Sequence, residues 1–188
     1  MNPRLLISPL MEERDCSEWL TGEERQRAAQ LTAPRRRSEF VTWRALFHRH
    51  FGLDRAVAYT PEGAPYVVGS RMYIGVSHSA RNVALVASDR PCAVDLESPD
   101  RNFARILSRY LSPDEQHLAT DPRWPAIAWC AKETLYKLAR TEGLRLVEDL
   151  HILSVDMPRA RLAARILDRP AVELSFATLG GDMAVWCF

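Results

Sequence analysis

Two stretches, one in each half of this 188-residue chain, follow the same plan. MYIGVSHSARNVALVAS, from Met72, and AVELSFATLGGDMAVWCF, from Ala171, are each an apolar run, a small polar turn and a second apolar run. β-Branched runs joined through Ser, Asn or Gly favour hairpins, and each of these follows helical sequence. Two related α/β lobes would produce that pattern, and the chain is long enough for one sizeable core or two such lobes. Hairpins are common, so the repetition alone leaves the relationship open. No low-complexity segment separates the halves.

The remaining elements fit this frame. After a short N-terminal strand, TGEERQRAAQ begins a helix with Thr21 as N-cap and Glu24 as its capping-box partner. RSEFVTWRALFHRHF spaces Phe40, Trp43 or Arg44, and Phe47 as a helix does, and Gly52 ends it. YTPEGAPYVV is a turn leading into strand, and CAVDLE is a strand. FARILSRYL is helical up to Ser112-Pro113, helix resumes near Glu115, and PAIAWCAKETLYKLARTEG is a helix entered at Pro125 and ended at Gly143. LHILSV and RLAARIL are strands.

The composition, 47% hydrophobic and 26% charged, is that of a soluble globular protein. LLISPL is too short and proline-broken for a signal peptide or a membrane span, so a cytoplasmic protein without membrane contact is expected. The four cysteines, Cys16, Cys92, Cys130 and Cys187, show neither zinc nor disulfide spacing. A net charge of +1 hides an asymmetry: eight arginines against four acids between Thr21 and Thr60, and seven acids against four arginines between Asp89 and Asp121. Such a division suits a phosphate-rich ligand held by guanidinium groups and by a carboxylate-bound metal, and equally two solvated faces. Without an extended basic track, no nucleic-acid partner is expected.

Of the 25 cationic residues only Lys132 and Lys137 are lysines, both within WCAKETLYKL. A compact ammonium at both places, in a chain that otherwise uses arginine, marks a site that needs a point charge. The alternative is a helix-surface ion pair of Glu133 with Lys137, worth about 0.2–0.5 kcal/mol. Trp129, Glu133 and Lys137 share one helix face, with Lys132 and Tyr136 alongside. Asp95 and Glu97, two apart on a strand, project from one face as half of a magnesium site or as two solvent-facing acids. Glu115 offers a third carboxylate. Ser77 and His78 lie at a turn, and Arg35, Arg36, Arg37 and Arg44 are positioned either to grip phosphates or to begin a solvated helix.

GVSHS, AVDLE, Glu115 and WCAKETLYK, in this order and spacing, resemble the phosphopantetheinyl transferases, of the class that carries two similar halves in one chain. The resemblance implies an α+β fold of two similar lobes in pseudo-two-fold arrangement, each a small, mostly antiparallel sheet with a long helix, spanning 1–98 and 99–188. It implies transfer of the 4'-phosphopantetheine arm of coenzyme A, the co-substrate, to a serine of an apo acyl, peptidyl or aryl carrier protein by a monomer, releasing adenosine 3',5'-bisphosphate. Asp95, Glu97 and Glu115 would hold Mg²⁺, or Mn²⁺ in its place. Arg37, Arg44, Ser77 and His78 would bind the nucleotide phosphates, Lys132 would contact coenzyme A, Glu133 would be the general base and Lys137 would neutralise the transferring phosphate. Trp129 would pack beneath the metal. Two positions depart from the family: Ala64 stands where a basic residue is frequent, and Ala80 where glycine is usual. A non-catalytic module binding coenzyme A or a carrier protein, and a metal-dependent phosphohydrolase, are the alternatives.

Overall fold

The structure, a computed structural model, describes residues 1–188. Its first half runs β1 (Arg4–Pro9), α1 (Glu13–Cys16), a 3₁₀ turn, α2 (Gly22–Gln30), α3 (Pro34–Phe51), β2 (Val57–Tyr59), β3 (Pro65–Val67), β4 (Tyr73–His78) and β5 (Asn82–Ser88). Then follow β6 (Ala93–Glu97), a 3₁₀ segment at Phe103–Arg109, α4 (Pro113–Gln116), α5 (Trp124–Ala139), β7 (Leu150–Asp156), β8 (Arg161–Ile166), β9 (Val172–Leu179) and β10 (Asp182–Cys187). The fold is α+β, with antiparallel sheets in the orders β1-β5-β4 and β6-β10-β9-β8-β7, and a small β2-β3 hairpin.

Both expected hairpins form, β4-β5 and β9-β10, and each sheet carries one long helix. The alternation of β5 explains its complete burial. Val83, Leu85 and Ala87 pack with Trp43, Leu46 and Phe47 of α3, whereas Ala84 and Val86 meet Val94 and Leu96 of β6 and Ala184 of β10. The second core lies between α5 and the five-stranded sheet, through Ile127, Ala131 and Leu135 against Leu150, Leu162 and Leu174.

Strand β6 lies inside the stretch assigned to the first lobe, yet it pairs with β10, so by hydrogen bonding the second sheet starts at Ala93 rather than after residue 98. Because Val94 and Leu96 join the inter-sheet core, the opposite face of β6, carrying Asp95 and Glu97, is turned to α5. Helix α5 stops at Ala139, before the expected Gly143, with Arg140 in the left-handed region (φ 49°). No helix is long and apolar enough to cross a membrane.

Candidate active site

Asp95 and Glu97 lie beside the face of α5 that carries Trp129, Glu133 and Lys137. Asp95 is 5% exposed. Its Oδ1 accepts from Ser77 Oγ at 2.9 Å and from Lys137 Nζ at 2.7 Å, whereas Oδ2 is buried without a partner. Glu97 likewise uses only Oε1, accepting from Trp129 Nε1 at 3.0 Å and from Arg101. Trp129 is held in turn by stacking on Phe103, with ring centroids 5.5 Å apart, and by the edge of Tyr110.

Lys137 spends its three hydrogens on Asp95 Oδ1, Ser77 Oγ at 3.0 Å and the Val94 carbonyl at 3.1 Å. It therefore ties α5 to both β4 and β6 and does not pair with Glu133 on its own helix. Glu133 has no hydrogen bond or ion pair. Its pKa is raised by burial first and then by the negative charge of Asp95, with Glu97 adding to the effect against Lys137 and Arg101. Glu133 thus feels the charges of both Asp95 and Glu97, but no three His, Cys, Asp or Glu side chains form a ready-made metal cage.

Glu115, expected as the third metal donor, has both carboxylate oxygens engaged by other groups. Its Oε2 accepts from the Ser112 amide at 2.8 Å in a capping box, and its Oε1 accepts from Lys132 Nζ and the Ile152 amide, both at 2.7 Å. Lys132, expected to touch coenzyme A, is 0% exposed and also donates to the carbonyls of Leu146 and Leu150. One residue along a helix is about 100° around its axis, so the neighbour of Glu133 is turned into the core. Burial lowers the Lys132 pKa, against the opposing pull of Glu115.

The nucleotide-side expectations divide in the same way. Arg44 is 4% exposed, with its guanidinium 4.1 Å from the Trp43 ring, 3.3 Å from Glu24 Oε1 and bonded to the Val57 carbonyl. Arg37 donates to the carbonyls of Ala28 and Leu31, closing the end of α2. In this fold each guanidinium is engaged by carbonyls or packing within the protein.

The arginines beside His78 are Arg35 and Arg36, which share the buried Glu39 at 2.9 and 3.4 Å. His78 Nδ1 is 3.3 Å from the same carboxylate. Burial lowers the His78 pKa, and the charges of Arg36, Lys137 and Arg35 act in the same direction, against Glu39. The spacing of Arg35 and Arg36 from Glu39, four and three residues, was a signal readable in the sequence. Ser77 is buried and holds Asp95.

A cleft of about 330 Å³ opens beside Lys137, between the Glu62–Pro65 turn, β4 around Gly75 and the end of α5 with Tyr136 and Arg140. A ligand lying there would have a glycine-lined floor, and Ala64 leaves the turn without a cation. No curated protein matches the chain. Residues 91–180, from just before β6 to the β9-β10 turn, match the family model described as the 4'-phosphopantetheinyl transferase superfamily.

Proposed function

We propose, from the match of residues 91–180 to the family model of the 4'-phosphopantetheinyl transferase superfamily, that the chain transfers the phosphopantetheine arm of coenzyme A to a serine of an apo carrier protein. The observation that supports this reading is the partnerless Oδ2 of Asp95, a buried carboxylate whose charge Glu133 feels and whose Oδ1 accepts from Lys137, a residue that lines the cleft.

The residues present fit a divalent cation. Asp95 and Glu97 each have one oxygen in hydrogen bonds and one outside them, and hard carboxylate donors beside a phosphate suit Mg²⁺. We assign the ion to Asp95 and Glu97, with Glu133 as the neighbouring carboxylate left free to act as a base. When bound, Mg²⁺ supplies positive charge to the pyrophosphate oxygens.

The protein's own groups account for the remaining chemistry. Glu133, unpartnered and with raised proton affinity, takes the proton from the carrier serine as its oxygen bonds to the phosphorus next to the pantetheine arm. The bond from that phosphorus to the bridging oxygen breaks, and adenosine 3',5'-bisphosphate leaves. Lys137 holds Asp95 and Ser77 in place and presents its charge to the transferring group. Arg35, Arg36 and His78 face the phosphates of the nucleotide.

Apo carrier protein, coenzyme A and Mg²⁺ should give the phosphopantetheine mass increase on one serine, with release of adenosine 3',5'-bisphosphate. Glu133→Gln should lower kcat by about 10²–10⁴-fold while calorimetry still shows coenzyme A binding. Absence of product across acyl, peptidyl and aryl carriers would overturn the proposal. Bisphosphate release without an acceptor would identify a phosphohydrolase, and binding without turnover a binding module.

A further inference from the structure

The two hairpins that repeat one another meet turn to turn, and a buried carboxylate joins them. Asp182, the first residue of β10, is 0% exposed. Its Oδ2 accepts from Ser79 Oγ and, at 2.6 Å, from Asn82 Nδ2. Asn82 Nδ2 also donates to the Gly180 carbonyl at 3.0 Å. The approach is so close that a Cβ on Gly180 (φ 57°) would lie 3.0 Å from the Asn82 amide. Ser79 Oγ in turn accepts from the amides of Arg81 and Asn82, both at 3.0 Å, which closes the β4-β5 turn.

The second oxygen of Asp182, Oδ1, is buried without a hydrogen bond, 3.8 Å from Arg81 Nε. Arg81 reaches onward to Ser98 Oγ at 3.2 Å and Asp100 Oδ2 at 2.8 Å, in the bend that follows β6. One carboxylate therefore stands behind two segments. One contains Ser77 and His78, and the other leads from Glu97 to Arg101, which bonds back to Glu97.

We infer that Asp182 is a positioning residue for the transfer: it fixes the β4-β5 turn, directly through Ser79 and Asn82, and the Ser98–Asp100 bend, through Arg81, in one mutual arrangement. It touches none of the reacting groups and acts through these neighbours. A buried carboxylate joining segments distant in sequence holds them more firmly than solvated contacts would, since loss of one partner leaves the others buried and unsatisfied. The inference rests on the transferase reading, because the segments it holds are those assigned there to phosphate and metal.

The test compares Asp182→Asn, Ser79→Ala and the double variant in the full chain. Amide hydrogen exchange at residues 77–82 and 98–101 should speed up about tenfold or more in Asp182→Asn, and kcat/KM for coenzyme A should fall about tenfold, most of it in KM. Ser79→Ala, the milder change, should show the same pattern at smaller size in a fully folded protein, and the double variant should be no worse than Asp182→Asn alone. Unchanged exchange in both segments, or an unchanged KM in folded Ser79→Ala, would overturn the inference. A lower melting temperature with unaltered KM would make Asp182 a structural residue only. If the wild type neither transfers nor binds coenzyme A, the transferase reading fails, whereas exchange, read on the protein alone, still decides whether the clasp exists.

Discussion

An ammonium group carries three hydrogens in a tripod, and both lysines of this chain use all three. Lys137 spends them on Asp95, Ser77 and the Val94 carbonyl, and Lys132 on Glu115 and the carbonyls of Leu146 and Leu150. A planar guanidinium cannot fill either tripod without moving its partners, which is why a chain rich in arginine keeps lysine here. Lys137→Arg should therefore cut turnover about 100-fold or more while the protein stays folded; circular dichroism and a steady-state assay check it, and near-wild-type turnover would show that the tripod is dispensable. Lys132→Met should do the reverse of a catalytic change: it leaves Glu115 buried and unpaired, destabilising the fold by about 3–5 kcal/mol, measured by urea denaturation. The sequence singled out both lysines but could not separate their roles, because one is buried and the other faces the cleft, and burial is a property of the packed helix.

At the scale of elements, capping signals were the most legible. Thr21 and Glu24 form the capping box read from TGEE, and SPDE carries the same signature, which shows why Glu115 is committed to its own helix. Glu24 does more than cap: its Oε1 meets His48 Nε2 at 2.9 Å and so joins α2 to α3. Burial opposes the charged form of both groups but is outweighed by their hydrogen bond and opposite charges together with the backbone hydrogen bonds at Thr21 and Gly52, so the His48 pKa rises above 6.5 and that of Glu24 falls below 4.5. The contribution of protonated His48 is present below its unfolded value and lost as pH rises through the raised one; that of Glu24 is present above its unfolded value and lost as pH falls through the lowered one. The pair should stabilise most between pH 4.5 and 6.5. The difference in melting temperature between wild type and His48→Gln should peak in that window, and a flat difference across pH would refute the coupling. The end of α5 was less legible, since the backbone turns left-handed at Arg140 rather than waiting for Gly143.

For the whole molecule, the junction of the two sheets decides where the chemistry sits. Gly75 of β4 lies against β6 so closely that a Cβ would come within 3.0 Å of Val86 Cγ2, 3.2 Å of Ala93 Cα and 3.4 Å of the Cys92 carbonyl. Gly75→Ala should push β4 from β6, lowering stability by about 1–3 kcal/mol and reducing coenzyme A affinity, because the same strands floor the cleft; denaturation and calorimetry report the two effects separately. The sequence by itself determined most elements: periodicity, caps and turn residues act within a few positions, so the long helices α2, α3 and α5, both hairpins and the shared face of Asp95 and Glu97 were readable there, whereas α1 was not and Phe103–Arg109 forms a 3₁₀ segment rather than the expected α-helix. It also carried the family resemblance that the match over residues 91–180 bears out. Which carboxylate stands beside that pair, which arginines remain open to a ligand, and which sheet owns β6 were decided only by tertiary structure. Those choices follow from which side of each element is buried against a partner distant in the chain, and an isolated motif contains no term for that burial.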